Sequence, residues 1–211
     1  MSRLTGSRGD AARERKRRKT GGGGLRLFVA AYPPPDRVDC WLERLAALEL
    51  PPHRMTPALQ IHLTLHFLGD TPEGELEAVT ESVSRSCAGL TAAELRATRF
   101  IALPKRGPAR LIAVETDAPP SLLELQRRLV QRLALRPRAR PGDRYLPHIT
   151  LCRFRTPGHL GLDEEALSLA DGASDAAAPF PLREVKLVRS VLESGGARHY
   201  EVASVPLATG D

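Results

Sequence analysis

A mixed α and β protein of two lobes is what this sequence predicts, on three observations. Segments that alternate like strands and segments with helical periodicity succeed one another along the chain. One strand–helix–strand pattern occurs twice. Leu27-Phe28-Val29-Ala30, a helix, then Ile61-His62-Leu63-Thr64-Leu65 is echoed by Leu111-Ile112-Ala113-Val114, a helix, then Pro147-His148-Ile149-Thr150-Leu151. The histidine follows the strand start by 35 residues in the first copy (27 to 62) and by 37 in the second (111 to 148). Finally, 211 residues with 42% hydrophobic side chains suit one ordinary domain or two small fused lobes. Two copies are too few for a solenoid and right for a pair of lobes, with the His-x-Thr strands meeting in a central cleft.

Residues 1–24 precede this pattern and read as a disordered basic arm ending in Gly21–Gly24, leaving 25–208 as the bilobal domain. The arm holds eight Lys/Arg against two acids, which equals the whole formal charge of +6 and leaves a formally neutral body. It carries charge without an aromatic to stack a base, so specific RNA binding by the arm is not expected. The apolar stretch after it is short, interrupted by Arg26 and stopped by Pro33–Pro35, which argues against an export signal. No run approaches a membrane-spanning length, so no membrane partner is expected.

Leu25–Tyr32 alternates as a strand. From Asp36 to Leu50 the residues Val38, Trp41, Leu42, Leu45 and Leu48 recur at helical spacing, and Pro51-Pro52 ends the helix. Leu59–Leu68 reads as a strand closing at Gly69-Asp70, after which Pro72 opens a second helix. Glu94–Leu103 and Arg110–Thr116 are strands around a turn-rich Pro104–Pro108, and Ser121–Leu135 is an amphipathic helix. Tyr145–Phe154 alternates again, Asp163–Leu169 is a short helix, and Phe180–Glu193 with Arg198–Pro206 forms a closing hairpin.

In a strand, residues i and i+2 share a face, so His62 with Thr64 and His148 with Thr150 would line one wall. Ile61, Leu63, Leu65 and Phe67 would face the other way, as would Ile149 and Leu151. A lone histidine on a strand is more often structural than catalytic, but two copies within a duplicated unit point to function. Two imidazoles can supply a base and an acid on opposite sides of a phosphodiester, and two hydroxyls can hold its non-bridging oxygens. Metal binding is not expected: His62 and His66 are roughly 13 Å apart along a strand and neither motif holds a carboxylate. Cys40, Cys87 and Cys152 lack C-x-x-C spacing and are odd in number, which suits a reducing cytoplasm. Cys152, in phase with His148, reads as a small filler rather than a nucleophile, and His53, His159 and His199 as incidental.

His62-Leu63-Thr64-Leu65 and Pro147-His148-Ile149-Thr150-Leu151-Cys152-Arg153 resemble the paired motifs of the 2H phosphoesterase superfamily. Within it, Leu25–Ala30 and His62–Gly69 resemble the bacterial and archaeal RNA 2′,3′-cyclic phosphodiesterases, formerly called 2′-5′ RNA ligases. The likeness runs over about residues 25–207. It implies a bilobal α+β fold with two antiparallel sheets around a central cleft. It implies hydrolysis of RNA 2′,3′-cyclic phosphate ends to 2′-phosphates, with His62 as proton donor and His148 as proton acceptor. Thr64, Thr150 and Arg153 would bind the phosphate, no cofactor would be needed, and a 5′-hydroxyl replacing water would give a 2′-5′ linkage without ATP. The expected partner is an RNA 3′ end, and the expected protein a monomer. Other cyclic or 2′-5′ phosphodiesters are an alternative substrate, and an inactive RNA-end-binding module a lesser one.

Arg153 carries a tension, because strict alternation puts it on the face of Ile149 and Leu151; it reaches the cleft only if the strand bulges or ends. His66 is either a rim residue or a tolerated surface histidine. Tyr145 and Phe154, close to the second motif, are candidates for stacking on the terminal base. Residues 127–155 hold nine arginines against Asp143 alone, and the stretch from Arg136 to Arg144 leads into His148, where an RNA backbone would approach.

Overall fold

The computed structural model describes residues 24–133, 145–161, 164–169, 175–194 and 196–209. Residues 1–23 of the arm and the basic stretch Arg136–Arg144 lie outside them, while Gly24, expected to end the arm, is instead the first residue of the first strand. Strand β1 (Gly24–Ala31) runs to Pro33–Pro35, and α1 (Pro35–Ala46) begins with proline where its missing N–H costs nothing. A short β2 (His53–Met55) precedes β3 (Leu63–Pro72), followed by α2 (Leu76–Cys87). The second half repeats the order with β4 (Ala93–Leu95), β5 (Ala97–Leu103), β6 (Ala109–Thr116), α3 (Pro120–Leu133) and β7 (His148–Gly158). A short α4 (Glu164–Leu167), β8 (Phe180–Leu182) and the hairpin of β9 (Glu184–Glu193) and β10 (Gly196–Pro206) close the chain.

The strands lie in the order β10-β9-β1-β3-β7-β6-β5, antiparallel throughout, with β2 paired on β7. This is two antiparallel sheets joined at a narrow seam: β3 and β7 meet through the single residue pair Leu63 and Ile149. The duplicated unit therefore places its two histidine motifs side by side. The major core takes Leu27, Val29 and Ala31 from β1, with Val38, Trp41 and Leu45 of α1 and Leu122, Leu125 and Leu129 of α3. A separate cluster of Phe28, Ala30 and Val188, with Tyr32 against it, covers the opposite face of β1. One face of the first lobe is thus core, and the other is a wall.

Several boundaries differ from the expected ones for local reasons. Residues 58–60 form a turn of 3₁₀ helix, so β3 begins at Leu63 and continues through Gly69, whose φ of +81° glycine accepts without strain. Helix α1 ends at Ala46, where Ala47 N–H bonds Arg44 O and Leu48 N–H bonds Leu45 O in a tightened last turn. The strand expected over Glu94–Leu103 divides, and β4 leaves to pair with β8 in a separate two-stranded sheet. Strand β7 starts at His148 and runs to Gly158, the preceding Leu146-Pro147 remaining outside it.

Candidate active site

Both motif histidines sit where a strand begins: His62 directly before β3 and His148 as the first residue of β7. Each is held by the carbonyl two residues earlier. His62 Nδ1 lies 2.6 Å from Gln60 O and His148 Nδ1 lies 2.9 Å from Leu146 O. A carbonyl can only accept, so in both rings Nδ1 donates and Nε2 is the atom left to exchange a proton. The repeat thus extends to the orientation and tautomer of its two imidazoles.

The surroundings of the rings differ. His62 is enclosed by Phe28 (ring centroids 4.9 Å apart), Tyr32 (5.6 Å) and His199 (5.2 Å). Burial in this box depresses its pKa to about 4; the Gln60 carbonyl opposes the shift, while the charges of His199, Arg153 and His148 add to it. His62 is therefore neutral near pH 7 in the free protein. His148 instead stands directly across from Glu115 of β6. Glu115 is bound by Arg99 at 2.7 Å and Lys105 at 3.1 Å, and its carboxyl lies below the usual range. Burial is the largest single influence on that carboxyl and acts upward, but the two cations together outweigh it.

The register of both motif strands shifts at the same place. Opposite β1, Ala30 faces Thr64 and Val29 faces His66, which leaves Leu65 as the extra residue of a bulge. Opposite β6, Ala113 faces Thr150 and Ile112 faces Cys152, which leaves Leu151 as the extra residue. A bulge reverses the alternation beyond it. Arg153, expected on the core face by strict alternation, is thereby returned to the face of His148 and Thr150. It is exposed, and its charge is felt at His62. Phe67 is corrected in the same way: it pairs with Phe28 on the cleft face, stacked at 6.0 Å with rings 9° from parallel, rather than joining Leu63 in the core. His66 pairs with core-facing Val29 and Cys152 is fully buried, so neither belongs to the cleft.

Other expectations are corrected by contacts distant in sequence. His199 is not incidental, since its ring packs edge-on against both His62 and Phe28. Tyr145 is not free to stack on a base: its hydroxyl donates to Thr64 O at 2.9 Å, tying the second lobe to the first motif. Phe154 lies in the core at 9% exposure. Arg127 and Arg128 both bind Glu124, and Arg128 also donates to Ala88 O, so these two are structural surface groups. Arg54, which no motif marks, stands directly across from Arg153 in the β2–β7 pair. A cavity of about 780 Å³ adjoins the box around His62, lined by Tyr32, Pro33, Leu59, Lys186 and His199 among others. Among the described residues no group of three His, Cys, Asp or Glu could hold a metal ion, and no helix is long and apolar enough to cross a membrane.

Comparisons with known proteins agree with this geometry. The profile of the 2′-5′ RNA ligase superfamily matches residues 34–192. An RNA 2′,3′-cyclic phosphodiesterase of Methanothermobacter thermautotrophicus is 26% identical over 136 residues, covering 64% of this chain and 72% of its own. A crystal structure from Thermus thermophilus superposes with a TM-score of 0.73 at 24% identity, over 89% of this chain and 100% of that one. LigT of Escherichia coli in apo form gives 0.69 at 20% identity over 88% and 99%, and its complex with 3′-AMP gives 0.66 at 21% over the same shares. These likenesses establish the 2H phosphoesterase fold, and the family's general chemistry is the hydrolysis or ligation of phosphodiesters. With residues 34–192 matched and the two motifs joined at one seam, the chain belongs to the 2′-5′ RNA ligase superfamily.

Proposed function

We propose that this protein hydrolyses RNA 2′,3′-cyclic phosphate ends to 2′-phosphomonoesters by paired-histidine acid–base catalysis. The observation that carries the reading is the matched pair of imidazoles, each with Nδ1 fixed by a carbonyl and Nε2 left free, on adjoining strand starts. The phosphate lies between the two rings, with Thr64, Thr150 and the Arg153 guanidinium as its donors.

The cavity beside His62 supports one direction for the substrate. Its polar lining includes Asp39, Glu184 and Glu201 against Arg183 and Lys186, and Lys186 is already bound by Glu184 at 3.0 Å and Glu201 at 2.8 Å. Such a lining suits a neutral nucleoside better than a phosphate. With the terminal nucleoside there, the ribose and its O3′ lie on the side of His62, and the attacking water lies on the side of His148. His148 Nε2 takes a proton from water as its oxygen bonds to phosphorus. The bond from phosphorus to O3′ breaks, and O3′ takes the proton from His62 Nε2. His62 must therefore be protonated when substrate is bound, and the phosphodiester anion favours this by opposing the effect of burial. A 5′-hydroxyl in place of water would form a 2′-5′ linkage by the same transfers.

The test is incubation with an oligoribonucleotide carrying a 2′,3′-cyclic phosphate, followed by identification of the phosphate isomer in the presence of chelator. The expected product is the 2′-phosphate. A 3′-phosphate would mean that O2′ rather than O3′ is the oxygen that leaves beside His62, and no turnover would refute the enzyme reading.

A further inference from the structure

Arg54 and Arg153 are an unusual pair to find facing each other. They are register partners in the antiparallel β2–β7 pair, so their side chains leave the sheet on the same face. Both are exposed, and neither has an ion-pair partner among the described residues. Like charges directly across a strand pair destabilise it, and a surface chosen only for stability would place a carboxylate at one of the two positions. An anion held between or beside them removes the conflict.

The two guanidiniums do not address the same point. Arg153 lies where its charge is felt at His62. Arg54 extends to the first lobe and rests on Gly196 at the start of β10, where a Cβ would stand 2.8 Å from its terminal nitrogens. Gly196 has a φ of +118°, which glycine alone adopts readily, so the hairpin keeps this place free of a side chain. His199, which touches His62, follows three residues later on the same strand, roughly 10 Å along it. Arg54 is thus on the face of β7 that carries Arg153, with its guanidinium against the hairpin that also carries His199.

We propose that Arg54 binds a second phosphate of the substrate, the phosphodiester on the 5′ side of the reacting nucleotide. It would thereby set a preference for oligonucleotide ends over cyclic mononucleotides. This rests on the function proposed above and adds to it the length of RNA that the cleft recognises.

The experiment compares kcat/KM for a dinucleotide 2′,3′-cyclic phosphate with that for the matching cyclic mononucleotide, in wild type and Arg54→Gln. The preference for the dinucleotide is expected to fall about tenfold, with the salt dependence of dinucleotide binding shallower by about one unit of log–log slope. Arg54→Lys should retain part of the preference, since charge survives and the planar fork does not. An equal loss on both substrates would place Arg54 at the scissile phosphate or in the fold, and no loss on either would leave it without a role; both results overturn the proposal. Binding of dinucleotide and mononucleotide 2′-phosphates by the same variants gives the same comparison without turnover. A protein that binds the dinucleotide more tightly through Arg54 but cleaves neither substrate would refute the phosphodiesterase reading and uphold the second phosphate site.

Discussion

The two histidine motifs share a backbone and differ in what hangs from it. Each begins a strand, each fixes its imidazole through the carbonyl two residues back, and each carries a bulge three residues after the histidine. Beyond the bulge the copies diverge. The position five residues after the histidine is Phe67 in one and Arg153 in the other, both returned to the cleft face. The first imidazole is boxed by Phe28, Tyr32 and His199, while the second stands across from Glu115. Duplication supplies a symmetric frame for two imidazoles; in the proposed reaction that frame moves two protons, and the side chains that break the symmetry set which way the substrate lies.

The largest effects should come from removing the symmetric part. His62→Ala or His148→Ala is expected to lower kcat on a cyclic-phosphate RNA end by about 10²–10⁴-fold. The asymmetry can then be read with an activated substrate. A nitrophenyl phosphodiester has a leaving group that needs no proton, so His62→Ala should lose little on it while His148→Ala loses as much as before. Equal losses on that substrate would break the assignment of His62 to the leaving oxygen. Next in size is Arg153→Ala, expected to cost about 10²-fold in kcat/KM, with Arg153→Lys between it and wild type. A neutral Arg153→Ala would mean that the bulge serves the fold and not the phosphate.

These differences are unequally visible in the sequence. The repeat can be read because it is written in residue type and spacing, and the meeting of the two His-x-Thr strands, seen in the pair Leu63 and Ile149, is expected from it. The bulges cannot, because Leu65 and Leu151 look like ordinary inward-facing strand residues whichever way the register runs. That is why alternation places Arg153 only conditionally and puts Phe67 on the wrong face. His199 and Arg54 escape sequence reasoning for another cause: each reaches the cleft through a strand remote in sequence, β10 on β9 and β2 on β7, and neither carries a local pattern. Tyr145 misleads because nearness to a motif in sequence does not tell whether a ring lines the cleft or ties the lobes together.

The box around His62 also predicts a dependence of stability on pH. Its folded pKa of about 4 lies below the unfolded value near 6.5, so between these limits the unfolded chain binds more protons than the folded one. Stability is full above pH 6.5 and falls as the pH is lowered towards 4, by up to about 3 kcal/mol from this group. Burial lowers the pKa of His66 and His199 in the same direction. Denaturant titrations at pH 7 and pH 4.5 should therefore show a smaller difference for His62→Asn than for wild type. An unchanged difference would mean that the ring is less desolvated than its contacts with Phe28, Tyr32 and His199 require.

The smallest effect expected is at Phe67, and it bears most directly on why the copies diverged. Its ring covers Phe28 on one side, has the Arg26 guanidinium 5.4 Å from its centroid, and remains 46% exposed on the cleft face. An exposed aromatic there would serve as a platform for a base, where a second arginine would only have added another phosphate contact. Stacking on a half-exposed platform of this kind contributes about 1 kcal/mol, the low end of the usual range. Phe67→Ala should therefore raise KM for an oligonucleotide end several-fold with little change in kcat, and Phe67→Leu, which keeps apolar cover over Phe28 but no ring, should resemble it. If Phe67→Leu behaves as wild type, Phe67 only shields Phe28, and the direction of the substrate rests on Arg153 and the nucleoside cavity alone.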